Sequence, residues 1–282
     1  MDEAPVEDRS LGLIAGAGAL PVEAARLLAR EGYDLRAVAF EGLTGPELGV
    51  GVRETRWLRL GRLQDMAEAL REMAVDRLLL LGKVPKALLF EDEGVAEPDE
   101  EALRLLAASR DHGDAALMGA IAGWLEDRGF ELCAQDRLLS SMLAPEGTIG
   151  ARAPSEVERA DLAVGLPVAT RLGQVGVGQC VVVKQGSVLA LEAIEGTDAT
   201  IRRAGQLGGA GATVIKRAGP DQDRRFDLPA VGVGTIEAIE AARASALAIE
   251  AGTTLIVDRA SMISAADRAG IAVWGFRPDH GA

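Results

Sequence analysis

Short apolar runs alternate with segments whose apolar residues recur at helical spacing, and this alternation fills the first half of the chain. Leu11–Ala15 is an apolar run ending in glycines and reads as a buried strand. Pro21–Glu31 carries Val22, Ala25, Leu28 and Ala29 at helical spacing, with Pro21 suited to a first turn and Gly32 to a stop. Leu35–Phe40 predicts a second strand and Thr55–Leu60 a third. Leu63–Met73 predicts an amphipathic helix with Leu63, Met66, Leu70 and Met73 on one side. Asp76–Gly82 is apolar on both faces, as a strand inside a parallel sheet requires. Glu100–Ser109 and Asp114–Arg128 follow as helices, and Phe130–Ala134 as a strand. The alternation predicts a doubly wound, Rossmann-like α/β domain that ends near Pro145–Gly147.

The pattern weakens between Gly147 and Gly178, where Pro154-Ser155-Glu156 marks a helix start and Glu156–Val164 a connecting helix. A second unit begins at Gln179. Cys180–Lys184 and Val188–Ala193 flank the turn Gln185-Gly186 and read as a hairpin. Thr213–Lys216 and Thr254–Val257 are further strands, Thr235–Ala251 an Ala-rich helix, Ser261–Ala269 a shorter helix and Ile271–Trp274 a last strand. The expected architecture is therefore a Rossmann-like domain over residues 1–147 and a second α/β domain over 148–282, with a ligand chamber between them.

Composition narrows the chemistry. The 282 residues include 30 basic and 43 acidic side chains, a formal net charge of −13, and only 3% aromatics. A chain this acidic and this poor in stacking rings is a weak candidate for nucleic-acid binding. Two His and two Cys supply neither a typical zinc site nor a His-rich binuclear hydrolase centre. Catalysis must then rest on Asp, Glu, Lys, Arg and backbone amides, with a hard cation left open. Cys133 and Cys180 lie in separate apolar segments and read as reduced core residues of a cytoplasmic protein. Met1–Arg9 is polar and acidic, unlike a signal peptide, and no apolar run approaches the length of roughly 18 residues that a spanning helix needs. Trp57, Trp124 and Trp274 read as core, and His112 and His280 as surface or tail residues. Lysine is scarce: Lys83, Lys86, Lys184 and Lys216 stand against 26 arginines.

Two segments carry candidate chemistry. Gly16-Ala17-Gly18-Ala19-Leu20-Pro21 follows a strand and opens a helix, the context of a phosphate-binding turn, with Glu41 as a candidate ribose acid. Pro21 replaces the third glycine of a dinucleotide fingerprint, so a nucleotide-dependent dehydrogenase and a plain tight turn both stay open. The densest polar cluster lies further on. Glu192–Asp198 follows a strand, Arg202 and Arg203 come one turn into a helix, Lys216 closes an apolar run, and Gln222–Pro229 interleaves acids and bases. A lysine and a carboxylate at strand ends suit phosphate chemistry: the cation neutralises phosphate oxygens, and the carboxylate orients water or holds Mg²⁺.

These residues resemble a known family. LGLIAGAGALP near the start, LLLLGKV at Leu78–Val84, GDAALM at Gly113–Met118, VGQCVVV at Val177–Val183, LEAIEGTDATIRRAG at Leu191–Gly205 and QDRRFDLPAVG at Gln222–Gly232 are similar to the LpxI family of UDP-2,3-diacylglucosamine pyrophosphatases of lipid A biosynthesis. The resemblance implies two α/β domains and Mg²⁺-dependent hydrolysis of UDP-2,3-diacylglucosamine to UMP and 2,3-diacylglucosamine 1-phosphate (lipid X). It implies that Asp227 binds metal or orients water, and that Asp198 lies near the sugar phosphate and the metal, beside Gly196 and Thr197. Lys216, Gln222 and Asp223 would line the same chamber, with Gly16, Gly18, Gly82 and Lys83 completing it. The implied partner is a lipid-linked nucleotide sugar, with transient contact with an inner-membrane surface and a homodimer as further expectations. Two positions depart from the family pattern: Gly176 stands in place of an Asp and Gly219 in place of a second Lys. They keep open a protein that binds lipid X or a nucleotide sugar without turning it over.

Overall fold

The computed structural model describes residues 9–84, 96–109, 113–219 and 222–278, so His112 and His280 lie outside the described residues. The chain divides into two units, Met1–Leu138 and Leu139–Ala282.

The N-terminal unit is built on a five-stranded parallel sheet. Its strands are β1 (Ser10–Ala15), β2 (Asp34–Phe40), β3 (Glu54–Leu58), β4 (Arg77–Leu81) and β5 (Glu131–Leu132), in the order β3-β2-β1-β4-β5. Register is in step throughout, with Leu13 opposite Ala37 on one side and Leu79 on the other. The connecting helices are α1 (Leu20–Arg30), α2 (Leu63–Glu72), α3 (Glu100–Ser109) and α4 (Gly113–Glu126), with a short turn of helix, α5 (Gln135–Leu138), at the end of the unit. Strands β1 to β3 run outward in one direction before the chain crosses back to β4. The gap between β1 and β4 is thus a topological switch point, where α/β sheets take ligands. Trp124 is buried at 3% exposure, but Trp57 is 41% exposed, against the core position expected for it. Among the described residues, Trp57 sits on edge strand β3, which has a neighbouring strand on one side only.

The C-terminal unit carries a six-stranded sheet. Its strands are β6 (Gly147–Thr148), β7 (Cys180–Lys184), β8 (Ser187–Leu191), β9 (Thr213–Lys216), β11 (Ala246–Glu250) and β13 (Ala272–Phe276), in the order β6-β13-β11-β9-β7-β8. Strands β9, β11 and β13 are parallel, while β7 runs antiparallel to β9 and β8 antiparallel to β7. A two-stranded parallel ribbon, β10 (Ala230–Val231) with β12 (Leu255–Ile256), completes the unit. Among the described residues its α-helices are α6 (Glu156–Gln174), α7 (Thr197–Gly208), α8 (Val233–Ala241) and α9 (Arg259–Arg268). Period-two alternation sorts the strands between two cores. Val182, Val214, Leu247, Ile249 and Val273 pack with Ile201, Ile239 and Met262 of α7, α8 and α9. Val181, Val183, Ile215, Ala246, Ala248 and Trp274 pack with Leu162 and Ala169 of α6. The segment around Pro145–Gly147 belongs to this unit, since Ala144 N–H donates to Thr254 O and β6 pairs with β13.

Two predicted elements come out differently. The helix expected over Thr235–Ala251 is α8 followed by β11, a central strand with every residue buried. Alanine reads as a helix former. Here Ala246 and Ala248 are instead the small members of a strand covered on both faces, and a turn through Arg243 at φ 54° separates the two elements. The connecting helix expected to stop at Val164 continues to Gln174 through Pro167. Gly176, one of the two departures from the family pattern, lies just beyond that helix at φ 67°, the left-handed geometry that glycine adopts at helix ends.

The start of α6 is fixed by an ionic cluster. Ser155 and Glu158 form a reciprocal cap, Arg152 pairs with Glu158 at 2.7 Å, and Ser245 Oγ donates to Glu158 Oε1 at 2.7 Å. Burial opposes the charge on Glu158, but the bonds from Arg152, the Ser155 N–H and Ser245 outweigh it and lower its pKa to about 2. A carboxyl depressed in the folded state stabilises the protein above its unfolded pKa, and that contribution is lost as pH falls from about 4.5 toward 2. The loss is expected to be roughly 3 kcal/mol. About 2 kcal/mol of it is lost by pH 3, so urea unfolding at pH 7 and pH 3 checks it: Glu158→Gln should flatten the pH dependence, and an unchanged slope would contradict the cluster's role.

Candidate functional site

The predicted site residues form one group in each unit. In the N-terminal unit the loops after β1 and β4 are bonded together at the switch point. Gly16 N–H donates to Leu81 O at 2.8 Å, Ala17 N–H to Lys83 O at 2.8 Å, and Lys83 N–H to Ala17 O at 3.0 Å. This approach needs glycine on both sides. A Cβ on Gly16 would lie 2.7 Å from Lys83 O, and one on Gly82, at φ 91°, would lie 2.8 Å from Ala17 O. Gly16 and Gly82 thus set the shape of the loop pair. Gly18, at φ 98°, borders open space, and Lys83 is exposed. Helix α1 starts without a side-chain cap at Ala19, so the first-turn N–H groups of Leu20 and Val22 face no side-chain cap, and Pro21 between them carries no N–H. Glu41 faces Arg59 at 3.5 Å.

In the C-terminal unit the group gathers at the carboxyl ends of the parallel strands. Lys216 is the last residue of β9 and is only 4% exposed. Its Nζ donates to Thr197 Oγ1 at 3.1 Å and to Ala230 O at 3.0 Å, tying β9 to α7 and β10. Thr197 Oγ1 donates in turn to Glu192 Oε1 at 2.9 Å. Charges around the buried Cys180 report the same gathering. Its thiol is pushed up by burial and by Glu192 and Asp198, while Lys216 pulls it down.

Helix α7 begins at Gly196, φ 80°, with no side-chain cap. Helices α6 and α9, by contrast, are capped by Ser155 and Asp258. The first turn of α7 therefore offers backbone amides beside a buried ammonium, with Asp198 exposed in the same turn. Arg203 is drawn to Glu195 at 2.6 Å and to Leu191 O at 2.9 Å.

The segment 222–229 makes a tight turn before β10. Gly219 N–H donates to Gln222 Oε1 at 2.8 Å, and Asp227 N–H donates to Asp223 O at 3.0 Å. Asp223 holds Arg225 through Nη2 at 2.6 Å and accepts the Arg225 N–H, and the guanidinium keeps its carboxyl below the usual carboxylate range. The side chains of Gln222 and Asp223 are thus engaged in shaping the turn. Asp227 stands exposed between Phe226 and the buried Leu228. The sequence marks the 192–198 segment as polar and rich in acids but assigns Glu192 no role. Its position directly after an alternating strand was the available signal.

Comparison with known proteins places this arrangement. Among solved structures, CobK precorrin-6A reductase aligns with 97% of this chain and 90% of its own at 15% identity and a TM-score of 0.33. Glycinamide-RNase-transformylase T from Mycobacterium tuberculosis covers 65% of this chain and 44% of its own at a TM-score of 0.23 and 18% identity. Likeness at that level carries no argument. Sequence relatives do. UDP-2,3-diacylglucosamine pyrophosphatase LpxI of Caulobacter vibrioides is 34% identical over 286 residues, 96% of this chain and 98% of that protein. Residues 10–142 match the LpxI N-terminal domain and residues 145–274 the LpxI C-terminal domain. With both domains matched in order, the chain belongs to the LpxI family.

Proposed function

We propose that this chain hydrolyses the pyrophosphate of UDP-2,3-diacylglucosamine, releasing UMP and 2,3-diacylglucosamine 1-phosphate. The observation that carries this reading in the fold is the buried Lys216 ammonium beside the uncapped start of α7. A cation and helix amides at one strand end suit the negative charge that develops on phosphate oxygens during displacement. The name of the Caulobacter relative supports the substrate. Asp227 is the residue assigned to orient the attacking water or to hold metal.

Mg²⁺ is part of the proposal. Among the described residues no three His, Cys, Asp or Glu side chains are grouped to hold a metal. A Mg²⁺ ion carried on pyrophosphate needs only roughly one or two protein carboxylates, its other ligands being water and phosphate. Asp227 and Asp198, both exposed, suit that role. Bound there, the ion would supply charge neutralisation at the phosphate oxygens. Among the described residues no helix is long and apolar enough to cross a membrane, so a lipid substrate would be met at a surface or in a groove.

The test is UMP release from UDP-2,3-diacylglucosamine by the full chain, with Mg²⁺ and with EDTA. UMP formed with Mg²⁺ and lost with EDTA is the expected result. Retention of the lipid without UMP in either condition would favour a non-catalytic binding protein.

A further inference from the structure

Glu192 is a buried carboxylate without an assigned role. It follows β8 directly and is 8% exposed. Such a charge is costly unless hydrogen-bonded and balanced. Its Oε1 accepts from Thr197 Oγ1 at 2.9 Å and its Oε2 from the Gln179 N–H at 3.2 Å. Thr197 is 7% exposed and Lys216 is 4% exposed, so the three side chains form one buried line.

The chemistry of the groups fixes the sense of that line. An ammonium only donates, an ionised carboxylate only accepts, and a hydroxyl has a single hydrogen. Thr197 must therefore give its hydrogen to Glu192 and turn a lone pair toward Lys216. Without the carboxylate the hydroxyl could rotate, and the ammonium would lose one of the contacts that place it. Lys216 ends a strand that is paired on both sides, with β11 and β7, so its backbone is fixed. Its long side chain still has torsions to settle, and the bonds to Thr197 and Ala230 O are among the contacts that settle them.

We propose that Glu192 is a positioning residue that holds the Lys216 ammonium, through the Thr197 hydroxyl, beside the first turn of α7. The proposal rests on the pyrophosphatase reading for its effect on turnover, but the placement of Lys216 is measurable without any substrate.

The chain has four lysines, so protein labelled with ¹³C and ¹⁵N at lysine gives a small set of side-chain signals, with Lys216→Met identifying the one of interest. Thr197→Val keeps the side-chain shape and removes the hydroxyl. Glu192→Leu removes the acceptor, and Glu192→Gln keeps an oxygen for Thr197. Thr197→Val and Glu192→Leu are expected to shift or broaden the Lys216 signal and to lower kcat by about 10- to 100-fold, with KM within about threefold. Glu192→Gln should recover most of the loss seen with Glu192→Leu. A merely structural cluster would lower Tm but leave kcat of the folded protein unchanged.

An unmoved Lys216 signal, or kcat within about twofold of wild type in both Thr197→Val and Glu192→Leu, would overturn the proposal. So would a Glu192→Gln variant as impaired as Glu192→Leu. If Glu192→Leu fails to fold, Thr197→Val carries the test. If the wild-type chain releases no UMP, the pyrophosphatase reading falls, and the Lys216 signal in the variants still decides the placement.

Discussion

Replacement of Asp227 by Asn is expected to lower UMP release by about 10²- to 10⁴-fold while leaving the fold intact. The two halves of that expectation have separate grounds. Asp227 is exposed, and the turn that presents it is held by its backbone N–H to Asp223 O at 3.0 Å, which the substitution keeps. The buried Leu228 and Pro229 next to it, and β10 beyond, also anchor the segment. What Asn removes is negative charge and basicity, the properties needed to orient water or attract a cation. Circular dichroism and a thermal melt check the fold, and a UMP assay checks turnover. Full activity in the folded variant would remove Asp227 from the mechanism. Binding of the lipid substrate should survive, because the proposed phosphate contacts lie at Lys216 and the start of α7.

Lys216→Met should damage both stability and turnover. Methionine matches the lysine stem but brings no charge, so Glu192 would stay buried, bonded to Thr197 and the Gln179 N–H, with no ammonium nearby from Lys216. Breaking a buried charge arrangement by removing one partner costs about 3–5 kcal/mol. The turnover loss should reach about 10²-fold or more if the ammonium neutralises phosphate oxygens in the transition state. The double variant Lys216→Met/Glu192→Gln separates the two effects. It removes the stranded charge, so stability should partly return while UMP release stays low. Turnover near wild type in Lys216→Met would rule out a catalytic lysine, whatever the melt shows.

Much of the fold was legible because strands and helices of the N-terminal unit have different apolar periods. Leu11–Ala15, Leu35–Phe40 and the run around Leu78–Leu81 lie within one residue or so of β1, β2 and β4. The failures have a common cause. β11 was hidden because Ala246 and Ala248 favour helix in isolation, and only the tertiary demand for small residues beside Trp274 makes them a strand. The length of α6 was hidden by Pro167, whose local penalty is outweighed by a face that packs through Leu162 and Ala169. Trp57 was misplaced because composition cannot say which strand lies at an edge.

At the candidate site, segments were easier to read than roles. Lys216 stood out by rarity, and the 192–198 and 222–229 stretches by density of charge. Which carboxylates are spent inside the protein depends on contacts that spacing does not encode. Asp223 goes to Arg225 two residues on, and Glu192 goes to Thr197 across a loop.

The two thiols have a practical consequence. Cys133 and Cys180 are buried, and burial raises both above the usual thiol range, so little thiolate forms near neutral pH. A reporter cysteine placed at an exposed position such as Ile194, close in sequence to the start of α7, would therefore outcompete both native sulfurs for a maleimide dye. Spectroscopic labels can be attached to the wild-type background without first stripping it of cysteine.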